Sequence, residues 1–399
     1  MNCRAPKGSS LHRIDCVVGA RPNFMKIAPI LRALDASRRC SVRLIHTGQH
    51  YDRSMNGVFF EELGIRAPDI NLEIGPGTNT EQTARIMLGL EPPLLVDRPA
   101  LMLVVGDVNS TMAAALVAAK LLIPVAHVEA GLRSHDRTMP EEINRLVTDR
   151  LSDLLLTTEL SAADQLASEG VPQRAIRFVG NVMIDTMYDN LARAPAPFEI
   201  MRQYGALPEH LVGARDGYGF VTLHRPSNVD DPAQLAGLVD VLAEISLALP
   251  LVFAMHPRTR TRIEAAGLQN KLAWARILVT PPLSYLEALG LMRGARLVIS
   301  DSGGVQEETT ALGVPCLTVR ENTERLVTVT EGTNTLVGSS PQALLASVRS
   351  ELRTEGKRGR VPELWDGRAA GRIVQHVLDF LDRRQPGVVS SPAAASHKR

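Results

Sequence analysis

The chain has 399 residues, more than the roughly 250–300 at which a single hydrophobic core stops growing, so two domains with two cores are expected. Its 44 Lys and Arg nearly cancel its 43 Asp and Glu, which argues against nucleic acid or an anionic membrane surface as the main partner and leaves anion binding to local sites. Cys3, Cys16, Cys40 and Cys316 form no CxxC pair, and neither an apolar run of about 18 residues nor an apolar signal core is present, so the expectation is a cytoplasmic protein with no disulfide scaffold or thiolate zinc site.

In chain order, residues 1–13 read as a flexible lead. Ile14–Val18, Arg43–His46, Leu101–Val105, Val125–Val128 and Leu154–Thr157 then read as strands separated by helix-length segments, the rhythm of a parallel sheet covered on both faces. The first strand runs into Gly19-Ala-Arg-Pro-Asn-Phe-Met-Lys26, where Gly19 permits close backbone approach and Arg21 offers a planar fork to phosphate oxygens. The plainer alternative is a strand-to-helix turn with a surface Arg. No GxGxxG occurs anywhere, which argues against a bound nicotinamide or flavin dinucleotide. His46 and His50 are four apart, but Gly48 after a strand keeps them off one helix face, so they do not read as a metal pair. Leu101–Val105 ends in Gly106-Asp107, and Val125–Val128 ends in Glu129, which sets two acids at the mouths of neighbouring strands. Asp107 could instead cap the helix beginning near Ser110. Thr138-Met-Pro-Glu-Glu-Ile-Asn-Arg145 opens a helix with Glu141 and Arg145 on one face, and Thr138 with Glu141 also fits a capping box.

The stretch Arg193-Ala-Pro-Ala-Pro-Phe198 reads as an inter-domain connection, dividing residues 14–195 from 196–366. Gly219–Leu223, Leu251–Met255, Ile277–Val279, Leu297–Ser300 and Cys316–Val319 supply a second set of strands. His224-Arg225 follows the first of these and can donate to a diphosphate; His256 ends the second and is balanced between a structural and a binding role. Leu297–Ser300 leads into Asp301-Ser-Gly-Gly-Val-Gln-Glu-Glu308, a strand, a glycine turn and a helix start, where Ser302, Gly303 and Gly304 would form an anion site. Glu308 could accept both hydroxyls of a ribose, or be a solvated helix residue with Ser302 a mere cap. No GxSxG nucleophile elbow occurs. Gly367–Asp382 reads as an amphipathic helix with Ile373, Val377, Leu378 and Phe380 on its packed face, and residues 385–399 as a disordered tail.

These motifs, with His46-Thr-Gly-Gln-His50, His127-Val-Glu-Ala-Gly-Leu-Arg133, Gly180-Asn-Val and Thr323-Glu-Arg325, together resemble the non-hydrolysing UDP-N-acetylglucosamine 2-epimerases from about residue 14 to 383. The resemblance implies an α/β fold of GT-B type: two Rossmann-like, doubly wound domains facing a central cleft, with UDP held mainly by the second. It implies a C-terminal helix (367–384) packing back on the first domain, a dimer, and no metal or redox cofactor. The implied product, UDP-N-acetylmannosamine, supplies surface polysaccharides. Carried over by position, it places Lys26, Asp107, Glu129, Glu141, Arg145 and His224 around the sugar and phosphates. Arg21, Arg225, His256, Ser302, Gly303, Gly304, Glu308 and Arg325 then bind the UDP-sugar. The chain departs from the family pattern at Ala20 and Asn23, at Tyr51-Asp52, where well-known members use an Arg in binding a second, activating UDP-sugar, and at Pro226-Ser-Asn.

The chemistry follows from what is missing. The C2 proton of a sugar is not acidic, and without NAD no neighbouring hydroxyl can be oxidised. If the diphosphate leaves C1, positive charge develops there and C2–H becomes acidic enough for a carboxylate to remove. A glycal forms beside UDP, and protonation of the opposite face followed by UDP re-addition gives the epimer. Two faces need two acid–base groups, drawn from Asp107, Glu129 and Glu141. A retaining GT-B glycosyltransferase, a hydrolysing relative and a silent UDP-sugar sensor are the alternatives.

Overall fold

A computed structural model describes residues 11–49, 60–205, 217–354 and 356–384. The expected tail and the Tyr51-Asp52 departure lie outside these. Of the lead expected over 1–13, His12 and Arg13 belong to the first strand, where Arg13 pairs with Asp97.

Strands β1 (His12–Val18), β2 (Cys40–His46), β3 (Ile70–Asn71), β4 (Leu101–Val105), β5 (Val125–Ala130), β6 (Leu154–Thr157) and β7 (Ile176–Phe178) form one sheet in the order β3-β2-β1-β4-β5-β6-β7. Strands β8 (Gly219–Thr222), β9 (Leu251–Ala254), β10 (Ile277–Thr280), β11 (Leu297–Ser300), β12 (Cys316–Thr318) and β13 (Asn334–Leu336) form the other, in the order β10-β9-β8-β11-β12-β13. All paired strands are parallel. The order reverses direction beside β1 and beside β8, as in doubly wound sheets. This is the α/β, GT-B arrangement that the resemblance implied. The ten strands read from the sequence are all present; β3, β7 and β13 are edge strands of two or three residues, too short to show a hydrophobic pattern.

The junction differs from expectation. Helix Pro197–Gln203 packs on helix Tyr285–Gly294 of the second domain, and a Cβ on Gly290 would lie 2.3 Å from the Pro195 carbonyl oxygen. The expected loose connection is therefore a close-packed one. The expected separate cores also meet: a single apolar cluster runs from Ile14 and Phe24 through Met187 and Ile200 to Leu289 and Val298.

Helix Ala369–Arg384 packs on helices Arg21–Ser37 and Val182–Leu191 and on β6. Ile373, Val377 and Leu378 are buried as expected, while Leu381 takes the place assigned to Phe380, whose half-buried ring lies under the Arg384 guanidinium at 5.3 Å. Both oxygens of Asp185 accept from its first N–H groups, Ala369 at 3.0 Å and Ala370 at 2.7 Å, and the Trp365 indole donates to the Thr158 carbonyl at 3.0 Å. Burial pushes the Asp185 carboxyl up to about 6 against these bonds.

Candidate active site

The C-terminal ends of both sheets open on one cleft of about 620 Å³, the place where chain segments leave a doubly wound sheet and ligands bind. One wall comes from the loops after β1 and β4 and from helix Pro140–Leu151; the other comes from the loops after β8, β9, β11 and β12.

On the first wall, Asn23 stands in the first turn of helix Arg21–Ser37. Its Oδ1 accepts from the Gly19 and Ala20 N–H groups at 3.1 and 3.2 Å, and its amide donates to the Val105 carbonyl at 2.8 Å, so this departure from the family pattern fixes the helix start. Gly19 answers to packing, not to a ligand: a Cβ there would lie 2.0 Å from Ser110 Oγ and 2.3 Å from Thr47 Oγ1. Arg21 lines the cleft and is no surface Arg; burial lowers its pKa against the pull of Glu308 and Glu62.

Asp107 is also on this wall. Arg145 Nη1 donates to its Oδ2 at 2.6 Å, and the Asn144 amide donates to its backbone carbonyl at 2.9 Å. It does not cap helix Asn109–Lys120, whose N-cap is Val108. Arg145 is buried, and its expected partner Glu141 is replaced by Glu142, which accepts from Nε at 3.1 Å and from Nη2 at 2.6 Å. Burial works against the Arg145 charge, but Asp107 and Glu142 outweigh it and raise its pKa. Glu141 is exposed on the cleft wall. The Thr138 capping box is not formed: Met139 is the N-cap, and the Thr138 hydroxyl donates to Asp136 at 2.6 Å.

Glu129 lies deeper. It is buried, its φ is +74°, a conformation that costs a side-chain-bearing residue about 1–3 kcal/mol, and Lys26 and Arg325, not Glu129 itself, reach the cleft. Lys26 Nζ pairs with its Oε2 and Arg325 Nη2 donates to its Oε1 at 3.0 Å. His127 steadies the same strand ends, with Nδ1 on Asp149 Oδ1 at 2.6 Å and Nε2 facing the Gly106 carbonyl at 2.8 Å.

On the second wall, Asp301 is the organising residue that the sequence reading passed over. Fully buried, it accepts from the backbone N–H of His224 (2.9 Å) and Arg225 (2.9 Å), from the Asn228 amide (3.0 Å), and meets His224 Nδ1 at 2.9 Å. Burial would raise the Asp301 pKa, but His224 and these donors outweigh it and hold the carboxyl below its ordinary value. The usable signal was an acid directly after an apolar strand whose neighbour ends in His; Ser300 pairs with Thr222 in register, which brings Asp301 beside His224. His256 caps helix Pro257–Ala265 through Nδ1, which accepts from Arg258 N–H at 3.2 Å, and its ring lies 5.4 Å from that of His224. Burial, with His224 and Arg21 adding to it, lowers its pKa. Arg225 lines the cleft with its pKa lowered by burial and by Arg320.

Ser302 is the N-cap of helix Gly303–Leu312, but its hydroxyl makes no cap bond; its N–H donates to Ser300 Oγ at 3.0 Å. A Cβ on Gly304 would meet only Met183 Cε, at an ordinary 3.6 Å, whereas one on Gly303 would lie 2.8 Å from Arg325 Nη1. Glu308 is buried at the cleft and not solvated; burial pushes its carboxyl up to about 7, Glu307 adds to this, and Tyr285 and Arg21 oppose it. Arg325, expected among the substrate ligands, lines the cleft, yet its guanidinium is taken up by Glu129, by Glu307 at 3.0 Å and by Glu324.

The family described as UDP-N-acetylglucosamine 2-epimerase matches residues 32–378. The UDP-N-acetylglucosamine 2-epimerase of Methanocaldococcus jannaschii is 40% identical over 366 residues, covering 91% of this chain and 98% of that one. The UDP-2,3-diacetamido-2,3-dideoxy-D-glucuronate 2-epimerase of Pseudomonas aeruginosa is also 40% identical, over 369 residues, 92% of this chain and 99% of that one. The crystal structure of the Methanocaldococcus jannaschii enzyme in complex with UDP-GlcNAc and UDP matches with a TM-score of 0.82 at 39% identity, covering 92% of this chain and 99% of that chain.

Proposed function

Because the chain belongs to the UDP-N-acetylglucosamine 2-epimerase family, we propose that it interconverts UDP-N-acetylglucosamine and UDP-N-acetylmannosamine by eliminating and re-adding UDP. The observation that carries this is one cleft that holds both a helix start with Arg21, Arg225 and His224 and the carboxylates of Asp107 and Glu141; we read the first as the diphosphate end and the second as the acid end. At the diphosphate end stand the start of helix Gly303–Leu312, Arg225 and His224, the last held by Asp301, with Arg21 facing them from the first wall. Gly304, whose bare Cα protein packing does not demand, lets phosphate oxygens approach the backbone. Glu308 takes the ribose hydroxyls.

Departure of UDP from C1 puts negative charge on the diphosphate, and donors already aimed at that place stabilise it without reorganising. Asp107 and Glu141, the carboxylates on the facing wall, serve the two faces of the ring: one takes the C2 proton as the glycal forms, and the other returns a proton from the opposite side. Arg145 orients Asp107. Lys26 brings a positive charge to the cleft, with Glu129 as the buried counter-ion that fixes it. The chain works in the cytoplasm as a homodimer and supplies surface polysaccharide synthesis. A reducing compartment fits the buried, unpaired Cys16, Cys40 and Cys316, and among the described residues no helix is long and apolar enough to cross a membrane.

An NMR time course with UDP-N-acetylglucosamine and no acceptor tests the activity. The expected result is UDP-N-acetylmannosamine approaching a constant ratio with substrate. Free N-acetylmannosamine with stoichiometric UDP would make the chain a hydrolase, and an unchanged sugar would make it a sensor. The Pseudomonas aeruginosa relative, as similar as the Methanocaldococcus one, favours a second reading with a 2,3-diacetamido uronate as the sugar. The same time course on that UDP-sugar decides between them by relative kcat/KM.

A further inference from the structure

Two conspicuous motifs, Gly180-Asn-Val and Thr323-Glu-Arg325, have no part in the chemistry above, and the structure joins them across the domain boundary. Asn181, on the first domain, caps helix Val182–Leu191 through Oδ1, which accepts from Met183 N–H at 2.9 Å; its amide donates to Glu307 Oε1 on the second domain at 2.8 Å. Glu307 Oε1 pairs with Arg325 Nε at 3.0 Å, and Arg325 reaches back to the first domain, where Nη2 donates to Glu129 Oε1 at 3.0 Å. Glu129 in turn holds Lys26. Every member is buried, so each charge depends on its partners for compensation.

We infer that Arg325 is a positioning residue that makes closure of the two domains and the placing of Glu129 and Lys26 a single event. What closure protects follows from the proposed epimerase reading, and the coupling itself follows from the geometry. Glu129 has two cationic partners, one from each domain, and its left-handed backbone is kept by what surrounds it. Parting the domains withdraws Arg325, leaves Glu129 with Lys26 alone and removes one of the restraints on that backbone. The cleft is then fully assembled only while shut around UDP and the glycal, the period in which a reactive intermediate would otherwise meet water. The planar fork is essential, because one ammonium cannot span Glu129, Glu307 and Glu324 at once.

Arg325→Lys keeps the charge and loses the fork. Asn181→Ser keeps an oxygen for the helix cap but cannot reach Glu307, so it tests the clasp should the first variant fold poorly. Each is compared with the parent by small-angle X-ray scattering at saturating UDP, by calorimetric UDP binding and by steady-state kinetics without added UDP. The clasp predicts a larger radius of gyration for both variants, a UDP affinity lowered much less than kcat because, of the groups assigned to UDP, only Arg21 stands on the first domain, and a kcat lowered by about 100-fold for Arg325→Lys and less for Asn181→Ser. It is overturned if Arg325→Lys stays as compact as the parent, if it opens with kcat unchanged, or if kcat and UDP affinity fall by the same factor. Scattering reads closure without turnover, so a parent protein that leaves UDP-N-acetylglucosamine unchanged refutes the epimerase reading while the clasp is still decided.

Discussion

Asp107→Asn lowers kcat by about 10³-fold, the scale of a lost general acid or base, and leaves UDP binding close to the parent's. The expectation rests on where the residue stands. Arg145 Nη1 holds Asp107 Oδ2 at 2.6 Å, the Asn144 amide holds its backbone, and the carboxylate lies on the wall facing the nucleotide end. An amide of the same shape still accepts from Arg145, so the wall keeps its form while the group loses its basicity. UDP is held mainly by the other domain, and the bonds that fix Asp107 run to Arg145 and Asn144, not to Arg21, which reaches UDP from this wall. Stopped assays for kcat with calorimetry for UDP separate the two, and equal losses in both would make Asp107 a structural residue.

Asp301→Ala gives the opposite pattern. Removing this carboxylate strands the part-buried backbone donors of His224 and Arg225 and the buried amide of Asn228, the last a loss of about 1–3 kcal/mol when unsatisfied. The chain then re-folds locally to find other acceptors, and the His224-Arg225 turn no longer faces the diphosphate. UDP affinity falls by about 100-fold or more, equivalent to roughly 2.7 kcal/mol, while circular dichroism stays that of a folded protein because β8 and β11 lie in the sheet interior. A calorimetric Kd equal to the parent's would show that Asp301 does not build the phosphate end.

The difference between these two residues shows what a sequence displays. Asp107 ends an apolar run and is visible as an acid at a strand mouth; so are His224-Arg225 and the Ser302–Gly304 turn, because the period of strand and helix is local. Asp301 ends such a run too, but its meaning lies in β11 lying beside β8, a pairing between segments 78 residues apart in register. Glu129 was legible as an acid but not as a buried counter-ion, since its partner Arg325 is 196 residues away. Helix spacing puts both Glu141 and Glu142 within reach of Arg145, four and three residues back, and only the folded chain shows Arg145 turned toward Glu142. The Thr138 cap does not form because the helix starts one residue later, with Met139 at the N-cap, and the Thr138 hydroxyl donates to Asp136 instead. Local pattern thus yields elements and strand-end residues, while the links between the walls exist only once the chain has folded.

Turnover of UDP-N-acetylglucosamine in heavy water, followed by NMR and mass spectrometry, tests the central claim most directly. Elimination and re-addition predict UDP-N-acetylmannosamine carrying one deuterium at C2, with deuterium entering the substrate pool as the reaction reverses. Product that retains its original hydrogen at C2 would contradict proton removal from that carbon and the whole assignment of acids to the two faces of the ring.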